Sequence, residues 1–249
     1  MNSDRVKAYF SLPEVVFDYA RAVSDVGLWA SERIVFEKFF AKGGALLELG
    51  CGAGRIALNL EKLGYSNITA TDLSPDMIDI AKNIAQDFNS KVRFLVQDAR
   101  SLDFADESFD GAIFGFNGLM QIPRRQMRLR AMREIWRVLK KGARFAFTTH
   151  DRGAPKNAHY WSAEQKLWES GSQNPELEEF GDIRYRDERG ELFIHSPSRG
   201  EVSGDIAEAG FVKIFEEKRG CIAVESKSVS DFSDECVFWV CEKQSDFLI

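Results

Sequence analysis

Residues 45–64 constrain this chain more than any other stretch. The run Ala45-Leu46-Leu47-Glu48-Leu49 is almost wholly apolar. A strand covered on both faces reads this way. It breaks at Gly50-Cys51-Gly52-Ala53-Gly54. Alternate glycines permit a tight turn and let a ligand lie against bare main chain. Ile56-Ala57-Leu58-Asn59-Leu60 then reads as a helix whose amide end faces that ligand. A buried strand, a glycine turn and a helix form the first unit of a parallel α/β fold, with a nucleotide-like ligand near residue 50.

The turn alone is a weak signal. A dinucleotide fingerprint reads G-x-G-x-x-G. Here the third glycine falls one residue early, and Arg55 takes its place. Two downstream units add weight. Ile68-Thr69-Ala70-Thr71-Asp72 reads as a strand ending in an acid, and Ser74-Pro75 opens a helix with a cap and an early proline. An acid at that strand end is placed to accept both hydroxyls of a ribose. Val92 to Val96 reads as a third strand, closed by Gln97-Asp98-Ala99, where Asp98 suits an adenine amino group. A fourth strand over 110–116, entered through Phe109-Asp110, ends at Asn117-Gly118.

Glu48 to Gly54, Asp72, Asp98 and Phe109-Asp110, in this order, resemble class I S-adenosylmethionine-dependent methyltransferases. The likeness is to the branch that includes the ubiquinone and menaquinone biosynthesis methyltransferases. It covers about residues 43–150, weakens over 198–243 and is absent from 151–197. It implies S-adenosyl-L-methionine as cofactor and a Rossmann-like α/β fold. The sheet would have seven mostly parallel strands with helices on both faces and the last strand antiparallel. Glu48, Gly50, Cys51, Gly52 and Gly54 would shape the amino-acid end of the cofactor site, Asp72 with Leu73 the ribose, and Asp98 with Ala99 the adenine. Asn117 would line the site. Tyr19 and Arg21, within Phe17-Asp18-Tyr19-Ala20-Arg21, are candidates to close over it. Two other readings stand beside this one: a nicotinamide-dependent oxidoreductase, and a protein that binds S-adenosylmethionine without catalysis.

Composition sets bounds. A chain of 249 residues that is 44% hydrophobic holds a sizeable core. No apolar run approaches the about 20 residues of a membrane helix, and residues 1–5 show no secretory pattern. Four cysteines form no C-x-x-C pair and no metal spacing, so they read as reduced thiols of a cytoplasmic protein without a metal. A net charge of −6 argues against a duplex nucleic-acid partner. From Arg124 to Arg144 there are nine basic residues and one acid, Glu134. Met127, Ala131, Ile135 and Val138 recur there at helical spacing, so the arginines read as the solvated face of a helix over 125–140, with a strand at 143–149.

The segments then divide as follows. Residues 1–42 form an N-terminal helical cover, with helices over 14–26 and 31–40. Residues 43–150 form the cofactor-binding core. Residues 151–197 break the rhythm and read as a cap, with a helix near 161–170 and two strands around Arg189-Gly190. Long irregular insertions are more often functional, so this one reads as a substrate lid. Residues 198–249 return to pattern, with a helix over 200–209 and strands over 211–218 and 237–242. His150, Asp151 and His195 are the candidate proton-transfer residues. The acceptor reads as a small molecule, because the Asn117-Gly118-Leu119 run lacks the Pro-Pro-aromatic sequence typical of enzymes that methylate nucleic-acid nitrogens. The protein is expected to be a monomer or a homodimer.

Overall fold

The structure is a computed structural model that describes residues 3–187 and 190–244. Three helices come first: α1 (Ser3–Tyr9), α2 (Pro13–Asp25) and α3 (Ala30–Phe39). Alternation follows with β1 (Leu46–Leu49), α4 (Arg55–Lys62), β2 (Ile68–Asp72), α5 (Pro75–Asp87), β3 (Arg93–Val96), β4 (Phe109–Phe114), α6 (Arg125–Val138) and β5 (Leu139–Thr149). The insertion holds α7 (Ala158–Glu169), β6 (Asp182–Asp187) and β7 (Gly190–His195). The chain then forms α8 (Arg199–Glu208), β8 (Phe211–Lys218), α9 (Arg219–Ile222), α10 (Lys227–Phe232) and β9 (Val237–Lys243).

Seven strands form one sheet in the order β3-β2-β1-β4-β5-β9-β8. β1 pairs in parallel with β2 and β4, and β9 runs antiparallel between β5 and β8. All four residues of β1 are buried, as its apolar run requires. One core packs around Trp29, Phe36, Tyr65 and Phe94, and the other around Phe145, Phe147, Trp239 and the inner face of α6. The strand order reverses between β1 and β4, which opens a crevice at their carboxyl ends.

Boundaries differ from expectation at three places. β5 begins at Leu139, directly after α6, because Leu139 pairs with Phe109; the Lys140-Lys141-Gly142 stretch is strand, not a helix end. β4 stops at Phe114, since Phe116 and Asn117 take left-handed angles of +51° and +58° and turn the chain into a short 3₁₀ helix, Gly118–Gln121. The insertion helix starts at Ala158, three residues before the expected position. The hairpin of β6 and β7 is present, with its tip at 188–189 outside the described residues.

The arginines of α6 form a solvated face only in part: Arg130 and Arg133 are exposed, and others are not. Arg128 is 2% exposed and pairs with Glu179, while Arg125 pairs with Asp205 and Glu208. Arg137 bridges Glu134 and Asp106. Acids distant in sequence thus meet part of this basic stripe. No described helix is long and apolar enough to cross a membrane.

Candidate functional site

A cleft opens at the carboxyl ends of β1, β2 and β3. Gly50, Gly52, Asp72, Leu73, Asp98 and Ala99 all line it. Each lies at or just past a strand end, so the topology brings together residues spread over fifty positions of chain. Phe10, just after α1, and Tyr19 from α2 also line the cleft. The Tyr19 ring stands edge-on to Phe10 and Phe116, 5.8 and 6.1 Å between centres.

The glycine turn is held by short-range geometry. Gly50, Gly52 and Gly54 have φ of +59°, +52° and +90°, which side-chain-bearing residues rarely adopt. A Cβ on Gly50 would stand 2.6 Å from the Phe114 ring, and one on Gly52 3.0 Å from the Tyr19 ring. Gly54 caps α4 without facing the cleft and packs against Phe94.

Asp72 ties this turn to the next helix. Its Oδ2 accepts from the Gly52 amide at 2.8 Å, and its Oδ1 accepts from the Ser74 amide at 2.9 Å. The Gly52 N–H is therefore engaged within the protein. Burial raises the Asp72 pKa, and the amides of Ser74 and Gly52 pull against that. Ser74 itself caps α5, accepting from the Met77 amide. Asp98 carries a fork from Arg100, with Nε and Nη2 donating at 2.9 and 2.6 Å. Burial opposes ionisation of Asp98, but the bonds and charge of Arg100 outweigh it and hold the carboxyl below its ordinary range.

Beside the cleft is a narrower recess that shares Tyr19, Gly50 and Phe116 with it and adds Glu48, Cys51 and Phe232. Glu48 is buried, and its Oε2 has no hydrogen-bond partner. Burial pushes its pKa up to about 8, despite the nearby Arg55 and the Ala57 amide. Cys51 is pushed up too, by burial and then by the charges of Glu48 and Asp72. Arg55, where a dinucleotide fingerprint wants glycine, closes the floor. It donates two bonds to the buried Glu32 at 2.7 and 2.6 Å and lies over the Trp29 ring.

Besides Gly54, five expected site residues stand elsewhere. Arg21 is solvent-exposed and pairs with Asp25 one turn along α2, so it faces away from the cleft. Asn117 is 4% exposed and does not line the cleft. Its left-handed backbone turns it toward β5, where its amide N–H bonds the Thr148 hydroxyl and its Nδ2 stands 3.3 Å from His150 Nε2. His150 and Asp151 line a separate cavity under the insertion. Asp151 is tied to Arg199 at 2.9 Å, which leaves it poorly placed as a base. His195 is 2% exposed, inside the insertion, with Nδ1 2.8 Å from Asp182 Oδ1. It is not among the residues lining the cleft. Glu179 joins this pair, but Arg125 and Arg128 bond both its oxygens.

Sequence reasoning missed Phe10, Arg100, Phe116 and Phe232. Their aromatic or charged character carried no periodic signal, and only the fold places them at the site.

Residues 46–142 match the family described as "Methyltransferase domain". A ubiquinone/menaquinone biosynthesis C-methyltransferase UbiE of Nitrobacter hamburgensis is 39% identical over 106 residues, 41% of this chain and 40% of that protein. A UbiE of Zymomonas mobilis is 28% identical over 176 residues, 68% of this chain and 67% of that protein. The chain thus matches only about two-fifths of the length of the Nitrobacter relative. Among solved structures, a SAM-dependent methyltransferase from Methanosarcina mazei shares the fold at TM-score 0.70 and 22% identity, covering 85% of this chain and 98% of that one. The [4+2]-cyclase SpnF shares it at TM-score 0.59 and 19% identity, covering 86% and 79%.

Proposed function

We propose that this chain, a class I S-adenosylmethionine-dependent methyltransferase resembling the ubiquinone/menaquinone biosynthesis branch, transfers a methyl group to a small-molecule acceptor by in-line displacement. The observation that carries this reading is the convergence of the glycine turn, Asp72 and Asp98 on one cleft. β9 inserted antiparallel between β5 and β8 also departs from the dinucleotide-binding sheet.

In this reading Asp72 keeps free lone pairs for the two ribose hydroxyls while its bonds to Gly52 and Ser74 hold it still. Leu73 and Ala99 flank the adenine, and Asp98 is placed at its amino group. Glu48 holds the ammonium of the amino-acid end, which gives its buried, unpartnered Oε2 a donor. Tyr19 covers that end against water. The bound sulfonium supplies an activated methyl group. The protein aligns the two reactants in a dry pocket, which accounts for much of the acceleration in a displacement that cancels charge.

Titration calorimetry with S-adenosylhomocysteine and with NAD tests the cofactor. Binding of the thioether without NAD binding is expected. Tight NAD binding with no response to the thioether would end the proposal. Transfer of labelled methyl into a metabolite extract tests turnover, and no labelled product across several extracts would leave a binding protein.

A further inference from the structure

One neighbour holds Asp98 through three donors. The Arg100 amide donates to Oδ1 at 2.9 Å. The Arg100 Nε–H lies between the two oxygens, 2.9 Å from Oδ1 and 3.0 Å from Oδ2, and Nη2 donates to Oδ2 at 2.6 Å. An ionised carboxylate offers about four lone-pair positions. The amide and the shared Nε–H occupy Oδ1, and Nη2 takes one side of Oδ2. Among the described residues no further donor reaches Asp98, so one acceptor position is left, on Oδ2. Both residues line the cleft and are partly exposed there.

The loop after β3 is braced from two directions. The Ser101 amide closes the turn onto the Asp98 carbonyl at 2.9 Å. Arg130 of α6 donates from Nε to the Arg100 carbonyl at 2.9 Å. Glu134, one turn further along α6, accepts from the Leu102 amide at 2.9 Å. Part of the α6 charge stripe thus fixes the Arg100 backbone, and the side chain stays within reach of Asp98. Resting on the methyltransferase reading above, we propose that Arg100 sets the base specificity of the cofactor site: its fork locks Asp98 with a single acceptor position, which admits a 6-aminopurine and rejects a 6-oxopurine.

The chemistry of the base edge supplies the selection. Burial opposes the charge on Asp98, but the bonds and charge of Arg100 outweigh it, and Arg130 adds its own charge. The carboxylate is therefore ionised at neutral pH and has no proton to give. A 6-amino group donates an N–H to it. A 6-oxo group brings lone pairs against lone pairs, and each buried mismatch of this kind goes uncompensated. The last torsion of an aspartate is soft, so a carboxylate without the fork turns and faces water. Fixing it again would then fall on the ligand, and the turned carboxylate would no longer repel a carbonyl. Arg100 is thus a positioning residue, acting through Asp98 on the base.

The test compares S-adenosylhomocysteine with S-inosylhomocysteine, which differ only at the 6-position of the base and its ring proton, by titration calorimetry on the full chain. The wild type should prefer the adenosyl compound by at least about 100-fold. Arg100→Ala should weaken adenosyl binding by about tenfold and leave inosyl binding within about twofold, so the preference falls about tenfold. Arg100→Lys keeps the charge without the fork and should lose the preference to a similar degree. A general loss of structure would weaken both compounds together and leave their ratio unchanged. No preference in the wild type, a ratio unchanged in the variants, or full retention of the ratio by Arg100→Lys would each overturn the proposal. Binding of neither compound by the wild type would instead sink the methyltransferase reading, and with it the role of Asp98.

Discussion

Asp72 Oδ2 accepts the Gly52 amide proton at 2.8 Å, so one carboxylate both shapes the glycine turn and faces the cleft. Asp72→Ala removes a ribose partner and the turn's tether together. We expect S-adenosylhomocysteine affinity to fall by about 1–3 kcal/mol, roughly 5–150-fold in Kd. Calorimetry measures this directly, and an unchanged Kd would remove Asp72 from the cofactor site.

Glu48 gives a pH dependence of defined sign. Its pKa rises from 4.5 to about 8 on folding, so the folded protein binds more protons between those values. Its contribution to stability is full below pH 4.5 and is lost as pH rises through about 8. Urea denaturation at several pH values should show Glu48→Gln gaining on the wild type as pH increases. A constant difference would mean that Glu48 is already ionised in the fold.

Proton release offers a second view of the same carboxyl. An ammonium placed against Glu48 favours its ionised form. Thioether binding at pH 7 should then release a fraction of a proton, read as a calorimetric enthalpy that varies with buffer. Glu48→Gln should abolish that variation, and its persistence would move the ammonium site elsewhere.

The Arg55–Glu32 pair is buried, with side chains 9% and 1% exposed. Removing one partner leaves the other charge in the core. Glu32→Ala should destabilise the protein by about 3–5 kcal/mol in chemical denaturation. A loss below 1 kcal/mol would show that water reaches Arg55.

His195 sits among the insertion's own acids, 2.8 Å from Asp182. His195→Ala should lower Tm without changing thioether affinity. A matched loss of affinity in a folded variant would restore His195 to the site.

How much was legible follows from the range of each interaction. The glycine turn and Asp72 show in sequence because left-handed angles and strand ends are local demands. So are the Ser74 cap and the apolar run of β1. Non-local packing hid the rest. The helix of arginines looked solvated because Glu179, Asp205 and Glu208 lie 51 to 83 residues from their partners. Asn117 looked like a cofactor contact, yet two successive positive φ angles turn it toward His150. Arg21 shared the helix of Tyr19, but two steps along a helix change the face presented.

The insertion of β9 between β5 and β8 has a consequence for assembly. Six of the seven strands precede it in the chain, yet the sheet cannot close until residues 237–243 arrive. Until then β5 presents bare backbone along one edge and β8 along both, which invites association between nascent chains. Folding of this protein is therefore gated by its last described strand, and destabilising β9 should show first as a loss of yield from aggregation.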